Sequence, residues 1–297
     1  MKAILLPVLL FSSFAIHAQY YYNDIVGTNE TNRLMKTYVS NKVRTVSATG
    51  FDQRGSKNTD FSEFHEVKEN GTALKSSTFN NLNKTMIYSR FDNQGRVVSV
   101  TDSSTIVQSA TIYQYDASGR VSKVQNTTKD PGIDFSQTEV HLWQYNAAGK
   151  PEKMWRIINN TDSLEIRFVS DENGNPVDER TYKRGVETSQ YYYYYDGQKE
   201  LKYVQTGSIY YYYDENNRLT DIVRYNLKAA RLMPDVLFEY DDKDRVIQKI
   251  TTTSSLTLGY LIWRYVFDEK GLKTKEATFN KEKQLTGKIE YSYTFGN

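Results

Sequence analysis

The 297-residue sequence contains no cysteine, which excludes disulfide scaffolds, thiolate nucleophiles, cysteine-ligated zinc and iron–sulfur clusters. Histidine is nearly as scarce, with three in all. His17 falls in an apolar leader, and His65 and His141 belong to no ligand-spaced cluster, so no metal and no cofactor is expected. An excess of either charge is also missing: 38 Lys and Arg face 36 Asp and Glu. That balance gives no electrostatic case for nucleic acid, whose backbone demands concentrated basic charge. Beyond the leader no stretch is apolar enough to span a bilayer as a helix.

What is present begins with that leader. Lys2, the apolar run Ile4 to Phe11, and Ala15-Ile16-His17-Ala18 read as a secretory signal over residues 1–18. The alternative, a short membrane anchor, is opposed by the interruption at Ser12-Ser13 and by a length below the ~20 residues of a spanning helix. Export normally brings disulfides. A mature chain of this size needs none, because it buries roughly 70–75% of its unfolded surface. The low mean hydropathy of −0.67 is owed in part to 25 tyrosines, whose rings bury well although hydropathy scales count them polar.

A repeat emerges when segments are aligned on an aromatic followed by Asp. The copies are Tyr88-Ser-Arg-Phe-Asp-Asn-Gln-Gly-Arg96, Tyr113-Gln-Tyr-Asp-Ala-Ser-Gly-Arg120, Trp143-Gln-Tyr-Asn-Ala-Ala-Gly-Lys150, Tyr211-Tyr-Tyr-Asp-Glu-Asn-Asn-Arg218, Phe238-Glu-Tyr-Asp-Asp-Lys-Asp-Arg245 and Tyr265-Val-Phe-Asp-Glu-Lys-Gly271. Looser ones start at Phe51, Ser170 and Tyr195. From Asp92 onward the anchors recur every 18 to 30 residues, the length of a strand, a tight turn, a second strand and a return loop.

Each copy reads as a β-hairpin. In Asp116-Ala-Ser-Gly119 the Asp suits the first position of a type I turn, and Gly119 accepts the left-handed conformation that closes a three-residue loop. Asp116 then faces Arg120, and the pair recurs as Asp92/Arg96, Asp214/Arg218 and Asp241/Arg245. The same register opposes Phe91 with Val97, Tyr115 with Val121 and Tyr213 with Leu219. Further out it opposes Tyr88 with Val100, Ile112 with Val124, Leu142 with Met154 and Tyr210 with Ile222. Such pairs stabilise sheets by roughly 0.2–1 kcal/mol each. Pro151 and Pro176 fall on the position of Val121 and predict an edge, a bulge or an irregularity there.

Tyr115-Asp116-x-x-Gly119-Arg120-Val121 and Phe91-Asp92-x-x-Gly95-Arg96-Val97, with Tyr213-Asp214-x-x-Asn217-Arg218-Leu219, resemble the bacterial YD repeats of Rhs proteins and of insecticidal toxin-complex shells. The resemblance covers roughly residues 85–275. It implies successive antiparallel hairpins; the toxin-shell role is not carried over, because the repeats are too few. The fold expectation is all-β, with hairpins forming one long, twisted or curled sheet. Residues 1–18 are a signal peptide, 19–84 degenerate strands capping the array, and 85–297 the hairpin repeats.

Runs at Tyr20–Tyr22, Tyr191–Tyr195 and Tyr210–Tyr213 place rings on both faces of a strand. One reading is an exposed row for stacking on sugars or clamping a peptide, with Tyr191, Tyr193, Tyr195, Tyr211 and Tyr213 as the contacts. The other is a curled sheet that buries both faces. Asp171-Glu-Asn173-Gly-Asn175 resembles the start of a calcium loop, but its twelfth position is Tyr182 rather than an acid; turn chemistry is the better account. No nucleophile elbow or phosphate-cradling glycine loop occurs. The expectation is an exported, non-enzymatic scaffold or binding protein of the cell envelope, periplasmic, surface-bound or secreted, with polysaccharide or cell-surface protein as partner. The alternatives are an outer-membrane β-barrel and a carbohydrate-active enzyme with a carboxylate pair.

Overall fold

The computed structural model describes residues 21–81, 83–103, 107–130, 132–188, 190–195, 201–206, 208–226, 229–253 and 259–296; the leader lies outside them. One helix, α1 (Asn23–Ser40), precedes β1 (Val43–Asp52), β2 (Lys57–Lys68), β3 (Ala73–Asn80), β4 (Asn83–Phe91), β5 (Val97–Ser103), β6 (Gln108–Tyr115) and β7 (Val121–Asp130). There follow β8 (Phe135–Tyr145), β9 (Pro151–Ile158), β10 (Asp162–Ser170), β11 (Pro176–Lys183), β12 (Val186–Glu187), β13 (Gln190–Tyr195) and β14 (Leu201–Thr206). The chain ends with β15 (Ile209–Tyr213), β16 (Leu219–Asn226), β17 (Arg231–Tyr240), β18 (Val246–Thr253), β19 (Gly259–Phe267), β20 (Lys273–Phe279) and β21 (Leu285–Phe295).

The all-β expectation and the antiparallel hairpins hold, and the long sheet does not end in two free edges. Nineteen strands share one hydrogen-bonded network, while among the described residues β13 and β14 pair only with each other. β1 pairs with β21 from Val43↔Phe295 to Asp52↔Gly287, so the ladder returns on itself as a closed circuit of 18 strands with the connectivity of a barrel. Pairing the first strand with the last covers two edges that an open array would leave as templates for aggregation.

The segment 19–84 also departs from expectation, since residues 23–40 are helical rather than degenerate strands. Thr28, Met35 and Tyr38 are its buried residues, and their spacing of seven and three puts them on one face. Met35 and Tyr38 pack with Val43, Val46, Leu74, Phe91, Val97 and Leu272. Burying Met35 at 1% exposure is worth roughly 1.5–3 kcal/mol. Polar contacts also tie the helix to its surroundings: the Val97 amide donates to Asn32 Oδ1 (2.8 Å), and Asn41 Nδ2, just past the helix, donates to the Lys270 carbonyl (3.2 Å).

Two compact units divide the chain, one of residues 1–138 and 261–297 and one of residues 139–260. The first has its core between α1 and the strands. The second centres on the row Trp143↔Met154↔Ile166 across β8, β9 and β10, with Phe168 stacked on Trp143 at 5.3 Å.

Register near each turn is as expected, with Phe91↔Val97, Tyr115↔Val121 and Tyr213↔Leu219. Beyond it every pair moves by one: Val100 faces Ser89, Val124 faces Tyr113, Met154 faces Trp143 and Ile222 faces Tyr211. A β-bulge beside each turn causes the shift, because its extra residue turns the following side chains to the other face. Pro151 and Pro176 stand at two of these bulges, which is where a residue without an amide proton does no harm.

Candidate functional site

The most regular constellation is a row of hairpin turns. Nine times among the described residues, at Asp52, Asp92, Asp116, Asn146, Asp171, Asp214, Asp241, Asp268 and Asn280, the amide donates to the carbonyl four residues on and the carbonyl accepts from the amide three residues on. The third residue after each anchor has positive φ, from Gly119 at 78° to Asn217 at 59°, Asp244 at 58° and Lys283 at 61°. Each anchor's Oδ1 caps its own turn; in Asp116 it accepts from the amides of Ser118 and Arg120, both at 2.9 Å. Asp171 does the same for Asn173 and Asn175, so the calcium-like motif is a turn. The Asn280 turn carries neither Asp nor Gly and escaped the sequence pattern.

Oδ2 is left for the arginine. Arg96, Arg120, Arg218 and Arg245 each donate from Nε to the Asp at the head of their own turn, at 2.7–2.8 Å. Burial raises the pKa of Asp92, Asp116, Asp214 and Asp241, but the arginine and amide hydrogen bonds outweigh it and hold all four below the ordinary carboxylate range.

Tyrosines, three of them signature residues and the fourth Tyr293, then lock neighbouring hairpins together. Tyr115 Oη donates to the Val97 carbonyl (2.7 Å), Tyr213 to Pro176 (2.8 Å), Tyr240 to Leu219 (2.7 Å) and Tyr293 to Lys273 (2.6 Å). Every acceptor lies five residues after a turn anchor, at the bulge. Arginines reach the opposite way, to the following hairpin: the Arg96 guanidinium lies 4.5 Å from the Tyr115 ring centre and Arg218 lies 5.0 Å from Tyr240. Arg218 Nη1 also donates to the Asp241 carbonyl and to Asp244 Oδ1. A shallow hollow of about 570 Å³ opens there, lined by Asn216, Arg218, Tyr240, Asp241, Asp242 and Asp244.

Of the tyrosine rows, Tyr211 is 1% exposed and donates to Glu179 Oε2 (2.7 Å), and Tyr213 bonds Pro176. The ring on the open face is Tyr212, at 48%. On β15 the bulge thus buries Tyr211 and opens Tyr212, against the exposed-row reading. Tyr191, Tyr193 and Tyr195 lie on β13, with backbone partners Gln205, Tyr203 and Leu201 on β14; their side chains lie outside the described residues.

A buried polar cluster was not visible in the sequence. His65 bonds Glu63 through Nε2 and Ser76 through Nδ1 (2.7 Å), and all three are at most 5% exposed. These are the residue types of a hydrolytic triad, yet they sit mid-strand on β2 and β3, whose backbones are paired on both sides. That leaves no amide pair aimed at an oxyanion. Nearby, Lys273 donates to Glu276 (2.7 Å); burial lowers the Lys273 pKa, but Glu276 outweighs it and the result is raised. In the second unit Glu139 accepts from Arg156 (2.6 Å) and bonds His141 (2.8 Å). Burial raises its pKa, and these two partners reverse the effect and bring it to about 2.

Residues 91–130 match the RHS repeat family model. No curated protein matches the chain. Among solved structures it is similar to the Photorhabdus luminescens Tc holotoxin pore, at 13% identity over 79% of this chain and 12% of that one, with a TM-score of 0.33. It thus spans about an eighth of that chain's length. It is also similar to a porin-like protein from Bacteroides uniformis, at 9% identity over 85% of this chain and 98% of that one, with a TM-score of 0.35.

Proposed function

We propose that this YD/Rhs-repeat protein, identified by the RHS repeat at residues 91–130, is an exported, non-catalytic scaffold of the bacterial cell envelope whose strand faces bind glycan or protein. The observation that carries the reading is the turn-to-turn lock. The recurring Asp, Arg and Tyr side chains are bonded to their own turn or to a neighbouring hairpin, so what repeats is architecture.

The closed ladder favours a second reading, an outer-membrane barrel. Against it, the face turned from the core carries the ion pairs Lys68–Glu66 and Lys288–Glu290 in the first unit and Arg167–Glu165 in the second. A lipid-facing Lys or Arg costs about 2–4 kcal/mol at the bilayer midplane. Cell fractionation decides between them. The scaffold is released without detergent, begins at Gln19, and binds saturably without product formation. A requirement for detergent establishes the barrel, and turnover abolished by a single Asp or Glu substitution refutes the scaffold.

A further inference from the structure

The strand circuit is complete without β13 and β14. β11 pairs with β12 at Tyr182↔Glu187 and Lys183↔Val186, and directly with β15 at Asp178↔Tyr210 and Glu179↔Ile209. The hairpin from Gln190 to Thr206 is therefore an excursion between β12 and β15, and among the described residues it forms a two-stranded sheet of its own. A two-stranded hairpin is marginal in water, and a third strand is the usual remedy.

Its pairing runs from Gln190↔Thr206 to Tyr195↔Leu201. Antiparallel pairing commits the amide and carbonyl of alternate residues to the partner strand, so about half of the backbone groups of each strand point away from the hairpin along an edge. The two edges differ in sequence. β14, Leu-Lys-Tyr-Val-Gln-Thr, carries Lys202, the kind of charge that keeps an edge from pairing. β13, Gln-Tyr-Tyr-Tyr-Tyr-Tyr, has no charge, no proline and no glycine, and tyrosine is a strong strand former. An uncharged segment of this length and strand propensity is a template for another strand. The first and last strands of the circuit, by contrast, cover each other.

We propose that the β13 edge pairs with the β13 edge of a second copy of this chain, giving a two-fold dimer through a four-stranded sheet in the order β14, β13, β13, β14. The occupant follows from the sequence of the edge. Residues that face each other across two strands share a side of the sheet, so a two-fold axis normal to the sheet sets one residue against itself. Centred on Tyr193, that axis opposes Tyr191 with Tyr195 and Tyr192 with Tyr194, and every one of these pairs is Tyr on Tyr. Aromatic pairs across strands are favourable, and no like charges meet. Two six-residue strands bury less than a standard interface, so association is micromolar rather than nanomolar. Lys202 on the outer strands stops growth beyond the dimer.

The test is sedimentation velocity of the mature chain over a range of micromolar concentrations, with hydrogen exchange on the same samples. A monomer–dimer equilibrium is expected, and amides within residues 190–195 gain protection as the dimer fills. Tyr193→Lys and Tyr193→Glu each put like charges face to face and weaken dimerisation about tenfold or more, one decade in Kd. An equimolar mixture of the two variants sets opposite charges face to face and restores it. Because β13 lies outside the strand circuit, both variants keep the parent's circular dichroism and thermal unfolding. The exchange measurement on the parent decides independently of any variant. A monomer at every concentration overturns the proposal, as does a dimer whose gained protection lies elsewhere than β13. So do a dimer that survives either variant, variants that stay apart when mixed, and assembly beyond the dimer.

Discussion

Tyrosine-to-phenylalanine substitution at the lock positions isolates the hydroxyl, because the ring and its cation contact remain. Tyr115 donates to Val97 at 2.7 Å and Tyr240 to Leu219 at 2.7 Å, both in part-buried surroundings. A net hydrogen bond of this kind contributes about 1 kcal/mol, and the carbonyl left behind retains other access to partners at the bulge. Each Phe variant is therefore expected to lose about 1 kcal/mol, or roughly 2–4 °C in Tm. The two residues belong to different units, so Tyr115→Phe/Tyr240→Phe should lose about 2 kcal/mol by addition. Tyr115→Leu removes the ring from the Arg96 guanidinium as well and should lose about 1 kcal/mol more. Urea denaturation followed by circular dichroism gives these values. Phe variants within ~0.3 kcal/mol of the parent, or Phe and Leu variants that lose equally, would show that the hydroxyl lock does not hold the hairpins together.

Three further outcomes follow from the geometry. Gly119→Ala should be more damaging than Gly55→Ala in the same denaturation assay. Both have positive φ (78° and 81°) and incur about 1–2 kcal/mol of left-handed strain, but only at Gly119 does the new Cβ meet a neighbour, Arg96 Nη1 at 3.2 Å. Met35→Ala should cost about 2–5 kcal/mol and raise amide exchange over residues 23–40 before the strands. Glu139, whose pKa falls from 4.5 to about 2 on folding, contributes stability that is complete above pH 4.5 and is lost as pH drops toward 2. Glu139→Gln should flatten the acid limb of a stability-versus-pH curve between those values, and an unchanged limb would exclude the His141 and Arg156 pairing.

Legibility followed locality. The turn at Asp116 was readable because four consecutive residues define it, and the Asp–Arg pair because the hairpin returns within five. The Asn280 turn was not, since Lys283 at φ 61° occupies a position that sequence reasoning reserves for Gly or Asn. α1 was overlooked although Leu34-Met35 and Tyr38-Val39 repeat at helical spacing; polar residues around them hid the stripe. The bulge moved Tyr211 to the buried face and Tyr212 to the open one, so on β15 one inserted residue reversed the choice of exposed tyrosine.

By itself the sequence determined what short-range chemistry decides: an all-β chain of antiparallel hairpins, the turn anchors with their arginines, and the absence of cysteine chemistry. Only the tertiary structure decided the closure of β1 on β21, the joining of Ser76 to His65, and the tyrosine hydroxyls on carbonyls of a neighbouring hairpin. The physical reason is the same for all three. Each depends on which strands become neighbours and in what register, and that is settled by burial and ladder hydrogen bonds summed over the sheet rather than by any local run of residues.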